Sequence, residues 1–277
     1  MGKISFTDRK VLITGASFGI GKALAQQFAL RGAHLALGSL PQERQVLEAW
    51  ARELSQTHHI RTWTFPIDLL SDDGPENLYA EVTQAVGDLY ALVNNAGMVA
   101  YGRFWETDWD RQYDVYRLNF SVPMRLMYLF LPDMVRRGEG IIFNTSSVSA
   151  LQPTPFQSVY GATKAGLQSL SQGIRAELKG TGVTICTLNP PYIDTRLLAT
   201  VGYPKDLRFY TVCGKKTPDW LAEKALAAFE KRKMLYVPGF TPKLIHLALT
   251  RMSPRSLVDA VSRFFLQGWS SSGGKNA

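Results

Sequence analysis

The stretch Thr14-Gly15-Ala16-Ser17-Phe18-Gly19-Ile20-Gly21 decides the fold through what stands on either side of it. Before it, residues 11–14 form a short apolar run of strand character, and after it residues 22–30 have helical composition. Strand, glycine turn and helix in that order open a βαβ unit. The glycines permit a tight turn and let the backbone approach a diphosphate, which binds the unpaired amides at the helix start. Glycines also mark ordinary turns, so the rest of the chain must agree with this reading.

Outward from the turn, short apolar runs alternate with longer helix-like segments. Residues 11–14, 35–37, 62–67, 91–93, 140–144, 183–188 and 235–237 are the expected strands. Runs that are apolar at successive positions suit a parallel sheet covered on both faces. With right-handed crossovers, about seven such strands predict a doubly wound, Rossmann-type α/β fold with helices on both sides. Thr107-Asp108-Trp109-Asp110 has capping-box spacing with a short acid, and Thr217-Pro218 sets a cap before a proline at the first helical position.

Further motifs follow in order: Asp68-Leu69 closing the third run, Asn94-Asn95-Ala96-Gly97 after the fourth, then Asn119, Ser147, Tyr160-Gly161-Ala162-Thr163-Lys164 and Asn189-Pro190. Together with the Thr-Gly-x-x-x-Gly-x-Gly turn, this series resembles the short-chain dehydrogenase/reductase family over residues 8–240. The resemblance implies a nicotinamide-dependent oxidoreductase moving a hydride between cofactor and a carbonyl or alcohol carbon. It implies that Gly15, Ser17, Phe18, Gly19, Ile20 and Gly21 shape the cofactor turn and that Asp68, with Leu69, meets the adenine. Asn94, Ala96 and Gly97 would support the cofactor from the sheet edge, and Pro190, Ile193 and Thr195 would meet the nicotinamide amide. The family often has Pro-Gly after the sixth strand, whereas here Pro190-Pro191 removes a backbone donor and fixes φ.

A carboxylate about twenty positions beyond the turn would hold the ribose hydroxyls of NAD. Ser39 stands there instead, so a 2′-phosphate meets no repulsion, and Ser17, Ser39 and Arg44 can donate to it. NADP(H) is favoured, with NAD(H) possible. Phe18 and Leu40 occupy places where the family commonly has basic residues.

Tyr160 and Lys164 are four apart, which in a helix puts both on one face. A tyrosine is a poor base at neutral pH, but a nearby ammonium and a cationic nicotinamide favour its anion. Tyr160 then serves as general acid in reduction and general base in oxidation. By the resemblance, Ser147 bonds the substrate oxygen, Lys164 also holds the nicotinamide ribose, and Asn119 holds a water linking Lys164 to solvent. Asparagine is disfavoured within a helix, which suggests that Asn119 has a reason to be there.

The substrate segment is expected within residues 194–216, where Leu197, Leu198, Tyr203, Phe209 and Tyr210 are apolar or aromatic, with Leu151, Phe156 and Tyr192 flanking the same pocket. Such walls point to a lipophilic carbonyl or alcohol, a ketone, 3-oxoacyl or steroid-like compound. The same side chains can equally pack a closed loop.

The 277 residues are 45% hydrophobic and 19% charged, which excludes a disordered chain and fits one domain over residues 1–240. Of the net charge of +8, residues 231–277 hold +7, since eight Lys and Arg stand against Asp259 alone. This basic extension, 241–277, is expected to end in disorder from Ser270 and to form an amphipathic helix starting at Pro254 with Ser253 as cap. Leu257, Val258, Val261, Phe264 and Phe265 recur at helical spacing beside Arg255 and Arg263. The helix can rest on an anionic membrane surface, stand at the pocket mouth, or pack on the enzyme body or a second subunit. No nucleic-acid partner is expected, because one basic patch without a stacking pattern is thin support. The family implies a homodimer or homotetramer. A catalytically silent nucleotide-binding scaffold on the same fold is the rival reading, opposed by the complete Ser–Asn–Tyr–Lys set. Cys186 and Cys213 form no disulfide framework, residues 1–9 lack a signal-peptide stretch, and no metal-ligand pattern is present. The expected location is cytoplasmic or peripheral to a membrane.

Overall fold

The computed structural model describes residues 4–199, 203, 204, 207, 208, 210, 214–239 and 255–266. Seven parallel strands, β1 (Lys10–Ile13), β2 (His34–Ser39), β3 (Thr62–Pro66), β4 (Ala91–Asn94), β5 (Gly140–Thr145), β6 (Val183–Leu188) and β7 (Leu235–Tyr236), form one sheet ordered β3-β2-β1-β4-β5-β6-β7. The order reverses between β1 and β4, and at such a switch point the loops beyond the strand ends part into a crevice. Each expected strand is present to within about three residues at its ends.

The helices are α1 (Gly19–Ala29), α2 (Arg44–His58), α3 (Gly74–Ala85), α4 (Trp109–Tyr116), α5 (Val122–Arg137), α6 (Ser158–Glu177), α7 (Arg196–Ala199), α8 (Pro218–Phe229) and α9 (Arg255–Leu266). Alternation along the central strands assigns them to two layers. Val11 and Ile13 join Leu35, Val93 and Phe143 on one face, packed against Leu24 and Phe28 of α1, Leu47 of α2 and Leu226 of α8. Leu12, Leu92 and Ile142 point the other way, onto Leu78 of α3, Leu126 and Phe130 of α5 and Leu167 of α6. Both faces of the sheet are therefore apolar, which is why the strands read as continuous hydrophobic runs. Cys186 belongs to the first layer, where burial pushes its thiol up to about 11 and leaves it inert. Cys213 lies outside the described residues.

Thr217 caps α8 as expected, its side chain accepting from the Trp220 amide at 3.2 Å. The cap of α4 is one residue later than its spacing suggested. Asp108 accepts from the Arg111 amide at 2.9 Å, while the Thr107 hydroxyl turns back to the Arg103 carbonyl at 3.0 Å. A carboxylate is the stronger acceptor at a helix start, and Thr107 has a competing local partner. Between α4 and α5 the chain makes a π-helical turn, Arg117–Ser121, with Asn119 at its centre.

The C-terminal helix α9 is present. Its last turn buries Leu266 with Val99, Tyr192, Tyr203 and Leu207, and the Leu266 carbonyl accepts from the Tyr101 hydroxyl at 2.6 Å. Arg263 and Phe264 remain exposed. The expected cap at Ser253-Pro254 and the tail from Ser270 lie outside the described residues. No helix among the described residues is long and apolar enough to cross a membrane.

Candidate active site

The crevice at the strand ends is a cleft of about 700 Å³ running from Ser39 and Asp68 to Tyr192 and Tyr203. Its floor is assembled by Thr14, at the end of β1. The Thr14 hydroxyl accepts from the amides of Asn95 and Ala96, both at 3.0 Å, and the Asn95 side chain donates to the Thr14 and Gly15 carbonyls at 3.0 and 3.2 Å. The Asn94–Gly97 loop is thus fastened to the glycine turn. Asn94 itself points into the sheet, donating to Asn144 Oδ1 at 2.8 Å, so it holds two strands together rather than lining the cleft.

Of the residues expected at the cofactor, Gly15, Phe18, Gly19, Ile20, Ser39, Asp68, Leu69, Ala96, Gly97, Pro190, Ile193 and Thr195 line the cleft. Gly21 and Ser17 stand behind that surface. Gly21 packs on the Gly15 carbonyl, and the buried Ser17 hydroxyl has no hydrogen-bond partner. Arg44 is not part of the lining and reaches Glu48 at 3.7 Å, whereas Glu43 is.

Two places in the cleft bear on its fit to a dinucleotide. A Cβ on Gly97 would lie 2.9 Å from Asn119 Oδ1 and 3.5 Å from Lys164 Nζ, so glycine keeps that wall open beside the lysine. The orphaned Ser17 hydroxyl and the start of α1, which has neither an acidic residue in its first turn nor a side-chain cap, suit an anion. The residues present therefore fit such a cofactor.

The chemical end is held by α6. Tyr160 and Lys164 lie one turn apart on its first half, and Ser147, just beyond β5, lines the cleft with them. Tyr160 is half-buried. Burial raises its pKa above the usual value, with the nearby Ser147 hydroxyl only partly offsetting this. In the protein alone, without a cationic nicotinamide beside it, burial favours the protonated phenol. Ser147 accepts from the Ser149 amide at 3.0 Å, which fixes its rotamer. Lys164, 4% exposed, donates to the Thr145 carbonyl at 2.9 Å, and its ammonium lies 5.7 Å from the Tyr160 ring centre.

Asn119 is fully buried and pairs in both directions with the Met98 backbone, accepting from its amide at 3.0 Å and donating to its carbonyl at 2.8 Å. Its side-chain amide thus holds the Gly97–Met98 wall against the π-helical turn. Irregular helical turns of this kind concentrate at functional sites.

Burial moves the Lys164 pKa from 10.5 to about 8. Between these values the unfolded chain holds a proton that the folded chain has released, so stability rises with pH across this window. The gain should reach about 2 kcal/mol by pH 9.5. Denaturant midpoints at pH 7.5, 8.5 and 9.5, without cofactor, should show this rise in the wild type and a flattened one in Lys164→Met. Equal slopes in the two proteins would remove Lys164 as its source.

On the substrate side, Tyr192 and Leu198 line the cleft, but Leu151 and Phe156 do not. Phe156 adopts a left-handed backbone, φ 69°, and its ring stacks on Tyr101 at 5.8 Å instead. Phe209 lies outside the described residues. Gln157, which the sequence reading missed, ties the wall together: its amide donates to the Tyr192 hydroxyl at 3.2 Å and accepts from Tyr203 at 2.8 Å. Its position just before α6, three residues ahead of Tyr160, was the available signal. Burial pushes the Tyr192 hydroxyl up to about 12 and that of Tyr203 well above its usual value, so both are neutral hydrogen-bonding groups.

The profile of the family described as short chain dehydrogenase matches residues 9–205. Similar proteins include dehydrogenase/reductase SDR family member 7B of Bos taurus, 31% identical over 234 residues covering 80% of this chain and 71% of that one. Another is the ketoacyl reductase HetN of a Nostoc species, 30% identical over 274 residues, 94% of this chain and 90% of that one. Among solved structures, a short-chain dehydrogenase from Sphingobium yanoikuyae in complex with NADPH superposes with a TM-score of 0.76 at 27% identity, covering 97% of both chains.

Proposed function

This chain belongs to the short-chain dehydrogenase/reductase family, NAD(P)-dependent oxidoreductases of carbonyl and alcohol carbons, and from that premise we propose that it reduces a lipophilic ketone or 3-oxoacyl compound with NADPH. The observation that carries the reading is the meeting, in one cleft with the glycine turn, of Tyr160, Ser147 and Lys164. A bound nicotinamide supplies the hydride. Ser147 and Tyr160 direct their hydroxyls to the substrate oxygen, and Tyr160 passes its proton there as negative charge develops. Lys164 brings positive charge beside the phenol, stabilising the tyrosinate left behind. Asn119 fixes the wall behind Lys164. Gly15 to Gly21, Ser39, Asp68, Leu69, Ala96, Gly97, Pro190, Ile193 and Thr195 hold the cofactor, and Asn94 supports them from within the sheet.

Support for a lipophilic substrate comes from the tyrosine and leucine wall, including Tyr192, Leu198 and Tyr203. One of the relatives above is named a ketoacyl reductase, which fits the same class. In this reading α9 closes the pocket mouth with its apolar side. Its exposed Arg263 and Phe264 give the cytoplasmic enzyme, a homodimer or homotetramer, a peripheral contact with anionic lipid.

NADPH oxidation against ketones, aldehydes and 3-oxoacyl chains tests the proposal, with turnover expected on the apolar members and none on any member overturning it. The cofactor preference rests on Ser39, at the cleft edge, where a carboxylate would repel a 2′-phosphate. Ser39→Asp should lower the NADPH-to-NADH ratio of kcat/KM by about tenfold or more. Glu43→Gln, removing an acid on that side of the cleft, should raise it. A wild type indifferent to the two cofactors would defeat this assignment.

A further inference from the structure

The cleft wall made by Gly97, Met98 and Val99 is fastened to the neighbouring helical stretch at two levels. Asn119 takes both backbone groups of Met98, and about two turns earlier, in α4, Arg111 donates through Nη2 to the Val99 carbonyl at 3.2 Å. Val99 is buried with Tyr192, Tyr203 and Leu266, and Tyr160 packs against the same cluster. The guanidinium thus reaches the apolar end of the cleft, and Arg111 is part of the cleft lining.

What this charge lacks is a counter-ion. The acidic side chains around it are committed elsewhere. Glu106 pairs with Arg103 at 3.0 Å, and the Asp108 carboxylate caps α4 on the Arg111 backbone amide at 2.9 Å. Asp114, one turn on and also lining the cleft, lies 3.8 Å from Arg117, while Asp110 is exposed. Among the described residues no carboxylate pairs with the Arg111 guanidinium, and the Val99 carbonyl is the one acceptor its side chain meets. A guanidinium keeps its proton throughout the working pH range, and a neutral carbonyl satisfies one of its donors and none of its charge. Half-buried in a largely apolar cleft, Arg111 therefore suits a ligand group that brings negative charge and two acceptor oxygens. Its planar fork matches a carboxylate or phosphate edge in two parallel bonds.

We propose that Arg111 binds an anionic group of the substrate, a carboxylate or a phosphate, so that the compound reduced is a lipophilic ketone with a negatively charged end. The proposal rests on the carbonyl-reduction reading of the cleft and deepens it by naming a second group that the site recognises. Tyr160 and Ser147 meet the reacting oxygen, the tyrosine and leucine wall covers the chain, and Arg111 takes the charged end. Because that end plays no part in hydride transfer, Arg111 holds ground state and transition state alike, and its contribution falls mainly on KM.

Reduction with saturating NADPH tests this on medium-chain oxo acids whose carboxylate stands at increasing distance from the ketone, each beside its methyl ester. A ketone bearing a phosphate monoester, beside its neutral dimethyl phosphate, forms the other arm. The wild type should prefer the anionic member of at least one pair by about tenfold or more in kcat/KM, and the arm with the larger preference identifies the anion. Arg111→Gln, which keeps a donor without the charge, should lose about ten- to a hundredfold on that member, mostly through KM, and far less on its ester. Arg111→Lys should fall between, and added salt should narrow the preference of the wild type. NADPH affinity, titrated without substrate, should be the same in all three proteins. An equal loss on acid and ester overturns the proposal and leaves Arg111 only holding Val99. A loss of NADPH affinity also overturns it and moves the anion to the cofactor. Turnover of the neutral ketones with no preference for any anionic partner overturns the assignment while leaving the carbonyl-reduction reading intact. No turnover of any member overturns that reading, and the assignment with it.

Discussion

Replacing Tyr160 with phenylalanine should leave the fold and cofactor affinity nearly unchanged and lower turnover by about 10²–10⁴-fold, the usual loss when a general acid is removed. The ring stays, and with it the packing among the aromatic side chains at the mouth of the cleft. What disappears is one hydroxyl, whose protonated form burial favours. Ser147 remains oriented by the Ser149 amide, so the loss cannot be assigned to a collapsed neighbour. Single-turnover oxidation of NADPH, measured where chemistry limits the rate, separates this effect from product release. A variant that keeps wild-type single-turnover rates would show that the proton comes from another group.

The second large effect is expected at Gly21. A Cβ there would lie 2.0 Å from the Gly15 carbonyl oxygen and 2.5 Å from the Asn95 side-chain nitrogen. Neither atom can move freely, since each belongs to the bonds that fasten the Asn95 loop to the glycine turn. Gly21→Ala therefore forces α1 away from the turn. The strain should cost about 1–3 kcal/mol, the range for overpacking a tight site. At about 2–4 °C per kcal/mol the melting temperature should fall clearly, and the opened turn should bind cofactor more weakly by over tenfold. Gly173, in the middle of α6, has nothing within 4 Å of its Cβ position and serves as the control. Gly173→Ala should be neutral or stabilising by up to about 1 kcal/mol, from helix propensity alone. Gly21→Ala melting and binding like wild type would mean that the close approach at the turn is not required.

The sheet was legible because its strands are buried on both faces, and a run such as Ile141-Ile142-Phe143 has few other places to go. The cluster of Tyr160, Lys164 and Ser147 in one cleft was legible for a different reason. Tyr160 and Lys164 are local to one helix, and Ser147 has a fixed relation to them through β5. Contacts between distant loops were not legible. Nothing in the spacing of Phe18 or Arg196 reveals that they stack, with 3.5 Å from guanidinium carbon to ring centre. Leu151 and Phe156 read as pocket walls because they are apolar and close in sequence to Tyr160, but the left-handed backbone at Phe156 is a conformational choice that composition does not record. Asn119 was singled out for its helix-disfavoured chemistry, and the π-helical turn around it is where that local irregularity appears. The burial that raises the Tyr160 pKa in the protein alone was not legible, because charge partners can be counted along a chain whereas dehydration depends on everything that packs around the hydroxyl.

The bond from the Tyr101 hydroxyl to the Leu266 carbonyl joins residues 165 positions apart, and Leu266 is among the last described residues of the chain. All seven strands and the whole glycine turn lie before residue 237. During synthesis, which delivers the N-terminal part first, every strand and the glycine turn are made before α9. A nascent or prematurely terminated chain ending near residue 240 would thus hold the residues proposed to bind a cofactor while Val99, Tyr192, Tyr203 and Leu207 still lacked the cover of Leu266.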